Sequence, residues 1–208
     1  MGALVVLILV LDQWLKIYIK SNFYYGEVRP IFGDWFVLEY VENPGMAFGT
    51  KFGAKAWHKL ALSLFRLGAI IGIVYYLIKQ IKLGAKLEFL IALGLVLAGA
   101  FGNLIDSMMY DTIFTFNGCE QCNWLEGSGH YVDCDFGKIE TRHTGFFLAN
   151  VVDMFHFDAT WPSWLPLIGG AKVFPAIWNL ADASISIGIM MILFRQRSYF
   201  PKTKKDLN

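Results

Sequence analysis

Asp106, Asp153 and Asp182 stand in or beside long apolar runs, together with the amides Asn103 and Asn179, and the first apolar run carries Asp12 and Lys16. A charged group inside a bilayer costs ~2.5 to 3.5 kcal/mol on insertion scales, so such residues demand a reason. Asn103-Leu-Ile-Asp106 and Asn179-Leu-Ala-Asp182 share one spacing. Three residues apart on a helix, amide and carboxylate lie on one face and turn together away from lipid. Asp12 and Lys16 are four apart, a spacing at which they pair and lower each other's desolvation cost. Two carboxylates held close in a low-dielectric site cannot both ionise easily, so one keeps a proton while the other deprotonates a water. That is the chemistry of an aspartic peptidase, which needs neither metal nor covalent intermediate. Buried carboxylates serve a proton-coupled transporter equally well as a relay, and spacing alone leaves both readings open.

The elements that position these groups follow from composition. Of 208 residues, 56% are hydrophobic and only 17% charged, against about a quarter charged in ordinary soluble domains. The formal charge of +1 excludes a polyanion-seeking nucleic-acid binder, and the apolar content excludes a disordered chain. A membrane span needs about 20 apolar residues. Four segments qualify, at about 2–19, 60–78, 87–105 and 173–194. The first reads as a retained span, since it has neither a basic leader nor a small-residue cleavage site. Lys79, Lys82 and Lys86 crowd one short link, and Arg195, Arg197, Lys202, Lys204 and Lys205 crowd the tail. Both termini are therefore expected in the cytoplasm, with the two long connections outside. Within the first connection, Trp35 to Val41 is aromatic and β-branched and flanked by Gly33-Asp34 and Asn43-Pro44-Gly45, as a strand on the outer membrane surface would be. Trp161 and Trp164, beside Pro162 and Pro166, suit either the headgroup layer or ordinary loop packing. Pro175 fits the first turn of the fourth span, which would set Asp182 about 10 Å inside that helix. Asp153 lies in an apolar stretch of the second connection that would dip to the same depth.

With these residues in place, the chain resembles the bacterial lipoprotein signal peptidases, signal peptidase II, over nearly its whole length. The matching blocks are Asp12-Gln-x-x-Lys16, Glu42-Asn43-Pro-Gly45-Met-Ala47-Phe48-Gly49, Gly102-Asn103-Leu-Ile-Asp106, Val151-Val152-Asp153 and Phe174-Pro175-x-x-x-Asn179-Leu-Ala181-Asp182. Each is weak alone; five in order among four spans are specific. The resemblance implies a single all-α peptidase domain over 1–208 with four spans, a small extracytoplasmic β element and an inserted periplasmic loop, in the bacterial inner membrane. Its implied activity is removal of the signal peptide from diacylglyceryl-modified prolipoproteins, cutting before the lipidated cysteine near the periplasmic face. By motif, Asp153 and Asp182 are the catalytic pair. Asn43 and Gly45 fall in the substrate-contacting block, Asn179 orients Asp182 or the substrate, and Asn103 and Asp106 belong to the polar set. Asp12 with Lys16 braces the site. The implied partners are the prolipoprotein and membrane lipid, with no nucleic acid and no cofactor, and the expected state is a monomer.

Three features depart from the family pattern. Ser107 stands where arginine usually follows Asp106, and Met46 replaces a usual small residue. The third is an insertion at about 111–148, which holds Cys119, Cys122 and Cys134. Outside the membrane it would meet an oxidising compartment, where a disulfide is expected. His130 and His143 lie near the cysteines, but the spacing lacks a second ligand pair for zinc, and no metal is expected. A surface subdomain, a partner contact and a lid are all open for this insertion.

Overall fold

The computed structural model describes residues 1–44, 56–114, 124–125, 130–133, 138–141 and 145–200. The chain is mostly helical with a small antiparallel sheet. Three helices are long and apolar enough to cross a membrane: α1 (Gly2–Asn22), α2 (Ala56–Lys82) and α3 (Leu87–Ile113). They contain the first three expected spans. The bounds of the fourth expected segment, 173–194, are corrected. Lys172–Trp178 is a strand, β7, and the helix that follows, α4 (Leu180–Phe194), has 15 residues, about 22 Å at the helical rise and short of a ~30 Å hydrocarbon core. A four-residue helix, α5 (Gln196–Tyr199), follows it.

The strand prevails over the expected helix start because Val173, Phe174, Ile177 and Trp178 favour a pleated surface. Their partners on β6 (Val151–Thr160) supply cross-strand aromatic contacts, with Phe155 opposite Trp178 and Phe157 opposite Phe174. Pro175 is tolerated because β7 is an edge strand of a sheet ordered β1-β2-β6-β7. Strand β1 is Val28–Phe32, and β2, Phe36–Asn43, coincides closely with the expected β element. The stretch around Asp153, read as a dipping connection, is instead β6, one of the two inner strands of this sheet. A second sheet, β3 (Trp124–Leu125), β4 (His130–Asp133) and β5 (Lys138–Thr141), lies within the insertion.

The chain divides into two compact units. One comprises Met1–Asp12, Phe65–Asn103 and Leu180–Asn208. Here α3 and α4 approach through glycine: a Cβ at Gly188 would lie 2.6 Å from the Ala92 carbonyl, and one at Gly99 would strike the Ala181 carbonyl. Small residues at such crossings let apolar helices pack where lipid supplies no hydrophobic driving force. At one end of this unit Arg195 pairs with Glu88 at 3.2 Å and Lys86 donates to Ser198 at 2.7 Å.

The other unit comprises Gln13–Leu64 and Leu104–Asn179. Its core joins Ile19, Phe23, Tyr40, Tyr110, Ala149, Val152 and Met154. Where α1 ends, Arg29 donates to the Asn22 carbonyl and lies over the Phe23 ring, satisfying a terminal carbonyl of the helix. The same guanidinium beside Glu27 holds that carboxyl below the usual range, with the Tyr24 N–H acting in the same direction. The base of the insertion is closed by two bonds: Gly145 N–H donates to Asp111 Oδ2 at 3.1 Å and Ala149 N–H to the Ser107 carbonyl at 3.1 Å. Ends already tied together need little linker. Replacing residues 115–144 with a Gly/Ser turn of about four residues is therefore expected to leave a folded, active protein. Loss of activity in a monodisperse deletion variant would show that the insertion contributes to the reaction.

Candidate active site

Asp153 is buried on β6, 1% exposed, and both of its oxygens are held. Asn179 Nδ2 donates to Oδ1 at 2.5 Å, and Asn43 Nδ2 donates to Oδ2 at 2.9 Å. The same Asn179 amide also reaches the Val152 carbonyl at 3.3 Å. Sheet pairing delivers these contacts: β2 runs antiparallel to β6 with Asn43 opposite Val151 and Val41 opposite Asp153. Asn179 follows the last residue of β7 and is itself wholly buried. Charge-assisted bonds from two fixed amides lock the carboxylate in one orientation.

Asp182 lies in the first turn of α4, not deep within a helix as expected. There the unsatisfied N–H groups of the helix start favour negative charge. Asn103 on α3 donates to its Oδ1 at 2.8 Å. Asp12, 1% exposed, accepts the Ala181 N–H at Oδ1 at 2.9 Å and so caps α4 one residue before Asp182. Gly102 makes room for this, since a Cβ there would fall 2.7 Å from Asp12 Oδ2.

Lys16 and Asp106, both fully buried, form an ion pair at 2.8 Å. Gln13 donates to Asp106 Oδ1 at 2.9 Å, and Tyr110 donates to Gln13 Oε1 at 3.0 Å. Asp106 Oδ2 also accepts the Val152 N–H at 3.3 Å, gripping the backbone immediately before Asp153. Of the expected residues, Asn43 and Asn179 thus meet at Asp153, Asn103 meets Asp182, and Lys16 meets Asp106. Gly45, with Met46, Phe48, Cys119, Cys122, Cys134 and His143, lies outside the described residues. Sequence reasoning gave no role to Gln13 or Tyr110, although a glutamine inside an apolar helix is itself a signal. Among the described residues, no group of three His, Cys, Asp or Glu side chains is arranged to hold a metal.

Three helices long and apolar enough to cross a membrane, a four-stranded sheet and aspartates held by asparagine amides are consistent with a membrane enzyme that works through carboxylates. Comparisons agree. The family model for signal peptidase (SPase) II matches residues 4–197. A lipoprotein signal peptidase of Porphyromonas gingivalis is 39% identical over 198 residues, covering 92% of this chain and 80% of the relative. One from Amoebophilus asiaticus is 31% identical over 201 residues, covering 92% and 75%. A solved bacterial membrane enzyme shares the fold at a TM-score of 0.57 and 20% identity, covering 96% of this chain and 90% of that one. The chain belongs to the signal peptidase II family and is a bacterial membrane aspartic peptidase.

Proposed function

We propose that this chain removes the signal peptide from diacylglyceryl-modified prolipoproteins, cutting before the lipidated cysteine, with Asp153 and Asp182 as the catalytic dyad. The observation that carries the assignment is the grip of Asn43 and Asn179 on both oxygens of the buried Asp153, in a chain whose family acts by aspartate chemistry. The dyad carries one proton between its two carboxyls. The ionised carboxyl takes a proton from water as the water oxygen bonds to the scissile carbonyl carbon, and the protonated one donates to the carbonyl oxygen. Collapse of the tetrahedral intermediate breaks the C–N bond, and a dyad proton passes to the leaving amine. Asn43 and Asn179 hold the base. Asn103 and the Asp12 cap hold its counterpart, Gly45 lets the substrate backbone approach, and Lys16 with Asp106 braces the strand.

The chain works as one domain and a monomer in the inner membrane. Both termini are cytoplasmic, α4 is the fourth crossing, and the sheet and the insertion are periplasmic. This orientation is supported by the basic residues at both short stretches and by the Arg195–Glu88 and Lys86–Ser198 contacts, which join the α2–α3 turn to the C-terminal helix. The acyl chains stay in lipid, so selectivity comes from the diacylglyceryl headgroup region and the small side chains near the cysteine. The family does not favour a transporter that uses the same acids as a relay.

A gel-shift assay of the purified protein with prolipoprotein tests the reading. Diacylglyceryl substrate is expected to be cut, the same precursor without its lipid to remain whole, and chelator to change nothing. Equal cleavage of both precursors would remove the lipid from the recognition element.

A further inference from the structure

A second polar chain runs behind Asp153, built from residues outside the dyad and its immediate amides. Lys59, on the first turn of α2, donates to the Leu148 carbonyl at 3.0 Å and to Asn150 Oδ1 at 2.5 Å. Asn150 Nδ2 donates to Glu42 Oε2 at 3.3 Å. The other oxygen of Glu42 accepts Tyr40 OH at 2.9 Å and pairs with Lys20. Lys20 and Glu42 are each about 5% exposed, and Tyr40 is fully buried.

Glu42 stands opposite Val152 in the β2–β6 ladder, one residue before Asn43, and Asn150 immediately precedes β6. The chain therefore ties together the two strand ends across which Asn43 reaches Asp153. The direction of the Asn150 amide decides whether it can do so. An ammonium has only donors, so Lys59 faces the oxygen of the Asn150 amide and leaves its NH₂ toward Glu42. With Lys59 gone, the amide oxygen loses that donor, and one of the bonds that fix the Asn150 side chain between α2 and Glu42 is removed. One turn along α2, Ser63 donates to the carbonyl of Phe147 at 2.8 Å. Phe147 holds φ 67°, a backbone region unfavourable for a bulky residue unless its surroundings enforce it. Lys59 and Ser63 together clip this turn as it enters the catalytic strand.

We propose that Lys59 is a positioning residue for peptide cleavage, acting through Asn150 and Glu42 to set where Asn43 holds Asp153. The inference rests on the reading of Asp153 as catalytic. Steady-state cleavage of diacylglyceryl prolipoprotein by the full-length chain in detergent tests it. Lys59→Met is expected to lower kcat about tenfold, as small misplacements of reacting groups do, with KM within about twofold. Lys59→Arg, which still donates to both oxygens, is expected to restore most of the rate. The distinguishing measurement is a double-mutant cycle: Lys59→Met added to Asn43→Ala should lose no more than Asn43→Ala alone, because one contact mediates both effects. Lys59→Gln replaces Lys59→Met in the same cycle if the methionine variant does not fold. Unchanged kcat in a folded variant, or losses that multiply, would overturn the proposal. A parent chain that leaves the lipidated precursor uncut would overturn the peptidase reading itself, and with it this one.

Discussion

Replacing either Asp153 or Asp182 with asparagine is expected to abolish processing of diacylglyceryl prolipoprotein, with a loss of at least about 10³-fold. A positioned proton-transfer group contributes about 10² to 10⁴, and in the proposed dyad the two carboxyls share the work of one proton exchange, so losing either is expected to remove both halves of it. Stability is expected to fall as well at Asp153. Both oxygens of Asp153 accept an amide N–H, so an asparagine there must set its own NH₂ against a donor. A mispaired buried donor costs about 1 to 3 kcal/mol. At Asp182 an asparagine can keep its oxygen toward Asn103, the donor on Oδ1. Thermal unfolding in detergent, measured beside the gel-shift assay, reads both quantities. Robust cleavage by either variant would withdraw the dyad, and intact cleavage alongside lost proton flux would revive the relay reading.

The sequence made some parts of this arrangement legible and hid others for a physical reason. Helices α1 to α3 were legible because a span is announced by local composition alone. The acidic candidates were legible because a carboxylate in an apolar run is costly wherever it sits. Strands β6 and β7 were not. Val151–Phe155 and Val173–Trp178 are apolar runs that suit a buried strand or a helix equally, and only their mutual register, Phe155 against Trp178 and Phe157 against Phe174, decides. Pro175 misled because the same fixed φ that suits the first turn of a helix also suits an edge strand. The partners of Asp153 were hidden by distance along the chain. Asn43 is 110 residues away, and no spacing rule connects them. The hold of Asp106 on the Val152 N–H, 46 residues on, is hidden in the same way.

Loss of the Lys16 ammonium is expected to produce the largest change in stability. Lys16 and Asp106 are both 0% exposed at the side chain and 2.8 Å apart. Breaking such a pair by removing one member leaves an uncompensated buried charge, which costs about 3 to 5 kcal/mol, although replacing both members with packed neutral groups is often nearly neutral. Lys16→Met is therefore expected to unfold at a markedly lower temperature and to lose activity with its folded fraction. Adding Asp106→Asn should recover much of that stability, because the amide removes the stranded charge and keeps its one oxygen toward the Val152 N–H, while its NH₂ faces Gln13, whose own amide can turn its oxygen to meet it. Recovery of stability without full recovery of kcat would place part of the effect in the strand before Asp153, where Asp106 grips the backbone. A Lys16→Met protein as stable as the parent would mean that the pair contributes nothing to the fold.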